Sequence, residues 1–161
     1  MTDRHPTVKQ VFTHPVHFLA FGFGSGLAPV APGTIGTVAA IPIYLLLNTF
    51  SQFTYFAAVV IISLLSVLIA GKSAQLLQVH DHGGIVIDEI CGYLLTMLLA
   101  PPGWWWVITG FILFRFFDIV KPWPIHYLDQ HLKGGLGIVV DDLMAGIYAL
   151  LSLQLVVLAV Q

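Results

Sequence analysis

Residues 53–71 read FTYFAAVVIISLLSVLIAG, a run of 19 positions without one charged side chain. A helix that crosses the hydrocarbon core of a bilayer needs roughly 20 mostly apolar residues, with about 17 as the lower end of the range. The run is therefore predicted to be a membrane-spanning helix. The number of similar runs in the chain then decides the architecture of the whole fold.

The composition of the chain agrees with a membrane protein. Of its 161 residues, 58% are hydrophobic and only 9% are charged, whereas a soluble domain has about 25% charged residues. A water-soluble fold with so few charges would expose large apolar patches and aggregate. The net charge of −2 gives no basic surface for nucleic acid. We expect one membrane-embedded domain over residues 1–161, in which residues 1–16 form an N-terminal cytoplasmic segment.

Five apolar runs are candidates for helices that cross the membrane. The predicted fold is an all-α integral membrane bundle of about five helices. The third and fourth runs carry charges near one end, so those ends must be packed in protein or hydrated. The runs are residues 34–50, 53–71, 85–100, 104–120 and 137–160.

The basic residues outside these runs predict the orientation of the bundle. With five helices and the N-terminus inside, all of these residues fall on the cytoplasmic side, as the positive-inside rule requires. The uncharged turns at residues 48–52 and 100–103 then face outward. The basic residues are Arg4, Lys9, Lys72, Lys121 and Lys133.

The segment before the first predicted helix has a different character. Residues 22–34 read GFGSGLAPVAPGT, with three glycines at alternate positions followed by two prolines. This pattern excludes a regular helix, and the segment is too apolar for an ordinary solvated loop. Irregular backbone at membrane depth must be buried in protein or line a wet cavity. We expect a re-entrant or interfacial loop packed against the bundle.

The predicted topology brings ionisable residues from three distant stretches to one cytoplasmic level. An ionisable residue near the bilayer core costs several kcal/mol and is functional by default. The acids outnumber the bases, and surplus carboxylates repel one another unless a cation lies among them. Oxygen ligands suit a hard divalent ion, Mg²⁺ above all. The residues are Asp88, Glu89, Arg115, Asp118, Asp141 and Asp142.

Adjacent acids sit about 100° apart on a helix, so one of a pair can face a metal and the other a neighbouring residue.

Three further polar residues allow more than one interpretation. Arg115 either forms a buried ion pair with Asp118 or remains free to bind an anion while Asp118 binds the metal. Lys121 either reaches a phosphate or extends to the membrane surface. His80 is either a general acid or base or a polar cap of its loop.

These residue types together favour phosphate chemistry on a lipid headgroup. A hard cation would polarise phosphoryl oxygens, and Arg115 and Lys121 would neutralise the charge that develops on them. The same acids could instead form the path of a small cation or solute carrier. The charges do not extend across the membrane as a carrier path would require, so the carrier is the alternative. A purely structural subunit does not explain the surplus of acids.

The motifs resemble those of the bacterial phosphatidylglycerophosphatase A family, in the same order and over about residues 17–150. The resemblance is carried by the following stretches: Gly24-Ser25-Gly26-Leu27-Ala28-Pro29, Ala31-Pro32-Gly33-Thr34, His80-Asp81, Ile85-Val86-Ile87-Asp88-Glu89, Phe114-Arg115-Phe116-Phe117-Asp118, Lys121-Pro122-Trp123-Pro124 and Gly137-Ile138 with Asp141-Asp142.

The resemblance implies a Mg²⁺-dependent enzyme of the bacterial inner membrane with its active site facing the cytoplasm. Such an enzyme hydrolyses phosphatidylglycerophosphate in the bilayer to phosphatidylglycerol and phosphate. The residues expected to bind the substrate phosphate are Arg115, Lys121, Ser25 and Thr34. The expected catalytic residues are Asp88, Glu89, Asp118, Asp141, Asp142 and His80, of which all but His80 are also expected to bind the metal.

Overall fold

The computed structural model describes residues 6–79 and 82–160, and all regular structure in these two ranges is helical. The all-α prediction is therefore confirmed. The helices are α1 (Val8–Thr13), α2 (Pro15–Ala20), α3 (Pro32–Leu47), α4 (Gln52–Leu77), α5 (Ile87–Thr96), α6 (Trp104–Val120), α7 (Ile125–His131) and α8 (Gly134–Val160), with a short 3₁₀ segment at Gly22–Leu27.

Two of these helices are long and apolar enough to cross a membrane. α4 has 26 residues and α8 has 27, so at about 1.5 Å per residue each exceeds the roughly 30 Å of a hydrocarbon core. They contain the runs predicted at residues 53–71 and 137–160. α3 and α6 match the runs predicted at residues 34–50 and 104–120. With 16 and 17 residues, both helices are shorter than α4 and α8.

α5 differs from its prediction. Residues 85–100 were expected to span the membrane, but the helix has only 10 residues, about 15 Å. It begins after the glycines at 83 and 84 and ends in a turn at Met97. Eight of its 10 residues are buried, so α5 is a short helix enclosed by the others. The prediction of five membrane spans is not confirmed. The apolar residues of α5 are accounted for by contacts with the other helices as well as by contact with lipid.

α5 and α8 lie side by side and begin at the same end of the bundle. A Cβ atom on Gly146 would be 2.6 Å from the carbonyl oxygen of Gly92, and one on Gly92 would be 2.6 Å from the carbonyl oxygen of Asp142. Real Cβ atoms do not approach so closely. The two glycines therefore permit the backbone contact that brings the start of α5 to the start of α8.

The two ends of the bundle differ in polarity. At one end the last turns of α4 meet the first turn of α8, where a Cβ atom on Gly71 would be 3.0 Å from the backbone nitrogen of Gly135. The charged residues of α4, α5, α6 and α8 lie toward this end. At the other end Gln154 donates a 3.1 Å hydrogen bond to the carbonyl of Leu99, and Gln52 donates to the carbonyl of Leu98.

The glycine- and proline-rich segment is irregular, as predicted. Within the 3₁₀ segment Phe23 and Gly24 have φ angles of 60° and 97°, which lie in the left-handed region that a regular helix excludes. The segment packs on the loop before α5, since a Cβ atom on Gly26 would be 2.0 Å from the carbonyl oxygen of Gly84. Its predicted re-entrant or interfacial position in a membrane stays a prediction.

Candidate active site

An open cavity of about 180 Å³ lies at the charged end of the bundle, between the starts of α5 and α8, the end of α6, and α7. Six of its 12 lining residues are acids. The balance between these acids and the nearby bases therefore determines which ions the cavity can bind. The lining residues are Gly83, Ile85, Asp88, Glu89, Asp118, Lys121, Asp129, Leu132, Gly137, Ile138, Asp141 and Asp142.

Three carboxylates converge in this cavity, and we call Asp88, Glu89 and Asp142 the acidic trio. One oxygen atom of each lies within 4.8 Å of the other two. Asp88 and Glu89 occupy the first turn of α5, and Asp142 comes from α8. Both of these adjacent residues of α5 line the cavity.

The acidic trio fits a divalent cation. Glu89 Oε2 and Asp142 Oδ2 are buried and have no hydrogen-bond partner among the described residues. Asp88 and Asp142 are only 9% and 4% exposed. Buried charges without partners are strongly unfavourable, and a hard cation with oxygen ligands compensates them. The trio could therefore hold a hard divalent cation, and the identity of that cation as Mg²⁺ stays a prediction.

Glu89 reaches the trio beside the start of α3. A Cβ atom on Gly33 would be 2.1 Å from Glu89 Oε1 and 3.2 Å from Arg115 Nη1. Gly33 is the second residue of α3, after Pro32 at the N1 position, where proline is well tolerated. The glycine thus provides the space in which the Glu89 carboxylate lies.

Arg115 forms an ion pair within α6. Its Nη1 atom lies 2.6 Å from Asp118 Oδ2 and 3.5 Å from the hydroxyl of Thr37 on α3. Its Nε atom is buried without a hydrogen-bond partner among the described residues. Asp118 lines the cavity, whereas Arg115 lies behind it. The ion pair between Arg115 and Asp118 is therefore present, and anion binding by Arg115 stays a prediction.

Lys121 bridges two carboxylates at the rim of the cavity. Its Nζ atom lies 2.6 Å from Asp141 Oδ2 and 3.0 Å from Asp129 Oδ1. Burial acts to lower the pKa of Lys121, but its hydrogen bonds to Asp141 and Asp129 and their negative charges raise that pKa above the ordinary value. The side chain is therefore a stable cation that faces the cavity.

The two ion pairs account for two of the five predicted acids. Asp118 pairs with Arg115 and Asp141 pairs with Lys121, which leaves the acidic trio as the surplus. The adjacent residues Asp141 and Asp142 thus diverge, one to a lysine and one to the trio. Metal ligation by any of the five acids, including the trio, stays a prediction.

The predicted phosphate contacts of the glycine-rich segment stay predictions. Neither Ser25 nor Thr34 is among the described residues that line the acidic cavity. The Ser25 hydroxyl donates a 2.8 Å hydrogen bond to the carbonyl of Gly22. The segment instead lines a neighbouring cavity of about 450 Å³, which shares Gly83 with the acidic one. His80 lies outside the described residues.

Asp129 belongs to the cavity although the sequence did not single it out. The residue is on α7, which follows the Pro122-Trp123-Pro124 break after α6. α7 docks through Ile125, which is fully buried, and this contact turns Asp129 back toward Lys121. An apolar residue just after the prolines was the one signal in the sequence for such a docked helix.

Comparison with known proteins agrees with the motifs. The family model for phosphatidylglycerophosphatase A matches residues 18–157. A phosphatidylglycerophosphatase A of Escherichia coli (strain K12) is 44% identical over 137 residues, which cover 84% of this chain and 79% of the relative. One of Haemophilus influenzae is 40% identical over 163 residues, which cover 100% and 98%. No solved structure has a significant match. The chain belongs to the phosphatidylglycerophosphatase A family.

Proposed function

We propose that this chain hydrolyses phosphatidylglycerophosphate to phosphatidylglycerol and phosphate, with Mg²⁺ held by Asp88, Glu89 and Asp142. Membership of the phosphatidylglycerophosphatase A family supports the reaction and the phospholipid substrate. One observation supports the metal: three carboxylates from two helices converge, and one oxygen atom each of Glu89 and Asp142 is buried without a hydrogen-bond partner among the described residues. Mg²⁺ bound there would polarise the phosphoryl oxygens and lower the pKa of a bound water.

The residues around the trio would act on the phosphoryl group. Lys121 has three N–H donors, of which two bind Asp129 and Asp141, so the third can donate to a phosphate oxygen. Arg115 adds positive charge behind Asp118. Both cations would stabilise the negative charge of the transition state.

Asp141 is the residue best placed for proton transfer or direct attack. Its Oδ2 atom accepts from Lys121, while its Oδ1 atom is buried without a hydrogen-bond partner in the described part of the chain. Because Asp141 lines the cavity, Oδ1 can accept the proton of an attacking water or act as the nucleophile. Water in the cavity would favour the role of Asp141 as a proton acceptor.

The protein is a bacterial membrane enzyme, and we place its cavity at the cytoplasmic face of the inner membrane. The two long apolar helices support membrane insertion. Lys72, Lys121 and Lys133 lie at the same end of the bundle as the cavity, which the positive-inside rule puts in the cytoplasm. A carrier function has no support, because the opposite ends of α4, α6 and α8 are uncharged.

Phosphate release from phosphatidylglycerophosphate in detergent micelles tests the proposal. We expect release with Mg²⁺, none with EDTA, and recovery when Mg²⁺ is added in excess. A heat-inactivated sample corrects for phosphate already present. Absence of metal-dependent release from phosphatidylglycerophosphate and from other phospholipid monoesters would contradict the proposed function.

A further inference from the structure

We infer that Asp129 is a positioning residue, which holds the Lys121 ammonium where it can bind the substrate phosphate. The inference rests on the proposed function of the acidic cavity. It concerns a residue on α7 that itself lies on the rim of the cavity, away from the trio.

The lysine side chain needs a second anchor. Lys121 ends α6 with a left-handed φ of 44°, and its long side chain is 26% exposed. A flexible ammonium bonded to Asp141 alone could pivot about that contact and move out of the cavity. The 3.0 Å bond to Asp129, which lies on α7 whereas Asp141 lies on α8, restricts this motion.

The exposed position of Asp129 excludes a strong contribution to stability. Its side chain is 41% exposed, and ion pairs with this exposure contribute little to folding. A direct contact with the phosphate is also unfavourable, because both groups are negative. The role that remains is to orient the ammonium, and such orientation affects substrate binding and turnover far more than stability.

A double-mutant cycle with Lys121 tests this role. Inorganic phosphate is titrated calorimetrically into the Mg²⁺-loaded protein, and kcat and KM are measured for phosphatidylglycerophosphate. We expect Asp129→Asn to weaken phosphate binding and kcat/KM by about tenfold, which corresponds to about 1.4 kcal/mol. Asp129→Glu should recover part of both. In Lys121→Gln protein, Asp129→Asn should have little further effect, since the ammonium that Asp129 orients is gone.

The control is Gln130→Ala, which changes an exposed neighbour on α7 that hydrogen-bonds to His126 and should leave all values unchanged. An equal effect of Asp129→Asn with and without Lys121 would show that Asp129 acts by itself, for example on a substrate hydroxyl, and would overturn the inference. Normal phosphate binding by Asp129→Asn would also overturn it. If phosphate binding follows the cycle but neither the wild type nor any variant hydrolyses the lipid, the inference holds and the proposed function fails.

Discussion

Gly33 of α3 lies directly against the carboxylate of Glu89, so close that a Cβ atom there would be 2.1 Å from Oε1. The carboxylate is also confined by Arg115 on α6, whose Nη1 atom would be 3.2 Å from the same Cβ. The start of α3 therefore determines where Glu89 can lie. This contact connects the glycine- and proline-rich segment to the acidic trio, although that segment does not line the cavity.

Gly33→Ala is predicted to inactivate the enzyme without unfolding it. The new methyl group would displace the Glu89 carboxylate, and a displacement of about 1 Å at a reacting group can reduce the rate by about 100-fold. Phosphate release and the thermal midpoint are the measurements. Ile35→Val, at an exposed position two residues along α3, should behave as wild type. A fully active Gly33→Ala enzyme would show that Glu89 tolerates other positions.

Gly146→Leu is predicted to destabilise the protein, because the backbones of α5 and α8 could no longer approach each other. Overpacking of this kind costs about 1–3 kcal/mol, and here it would also separate Asp142 from Asp88 and Glu89. Thermal unfolding in detergent measures the effect. Ile147→Leu, on the exposed side of the same turn, is the control, and equal midpoints for the two variants would refute close packing of the helices.

Cysteine labelling in intact cells tests the proposed orientation. In a Cys91→Ala background, Gln52→Cys at the uncharged end should react with an impermeant reagent added outside, and Lys133→Cys at the charged end should react only after the membrane is opened. We expect this pattern because the basic residues lie at the charged end, which the positive-inside rule places in the cytoplasm. The reverse pattern would place the cavity on the outer face.

Much of the site could be predicted from the sequence, because charge is costly inside a membrane and therefore marks function. The sequence positions of Asp88, Asp118 and Asp142 predicted both the charged end of the bundle and the excess of acids over bases at that end. The split between Asp141 and Asp142 also follows from helix geometry, since adjacent side chains point about 100° apart. The ion-pair partner of each carboxylate could be identified only from the structure.

Two features could not be predicted. Hydropathy identified residues 85–100 as apolar but could not distinguish a spanning helix from a short one enclosed by protein, and α5 is the latter. Asp129 was overlooked because α7 is too short and polar to produce a clear periodic pattern. Ile125 stands out in the sequence as an apolar residue after the prolines, but its burial against the bundle is a tertiary contact.

If Asp88, Glu89 and Asp142 hold the metal on which hydrolysis depends, Mg²⁺ titration of three purified proteins should separate Asp142 from its neighbour Asp141. Wild type and Asp141→Asn should bind Mg²⁺ with affinities within about threefold, or about 0.7 kcal/mol. Asp142→Asn should lose at least about tenfold in affinity, together with phosphate release. Equal affinity in all three proteins, or a greater loss in Asp141→Asn than in Asp142→Asn, would contradict the assignment of the metal to these three residues.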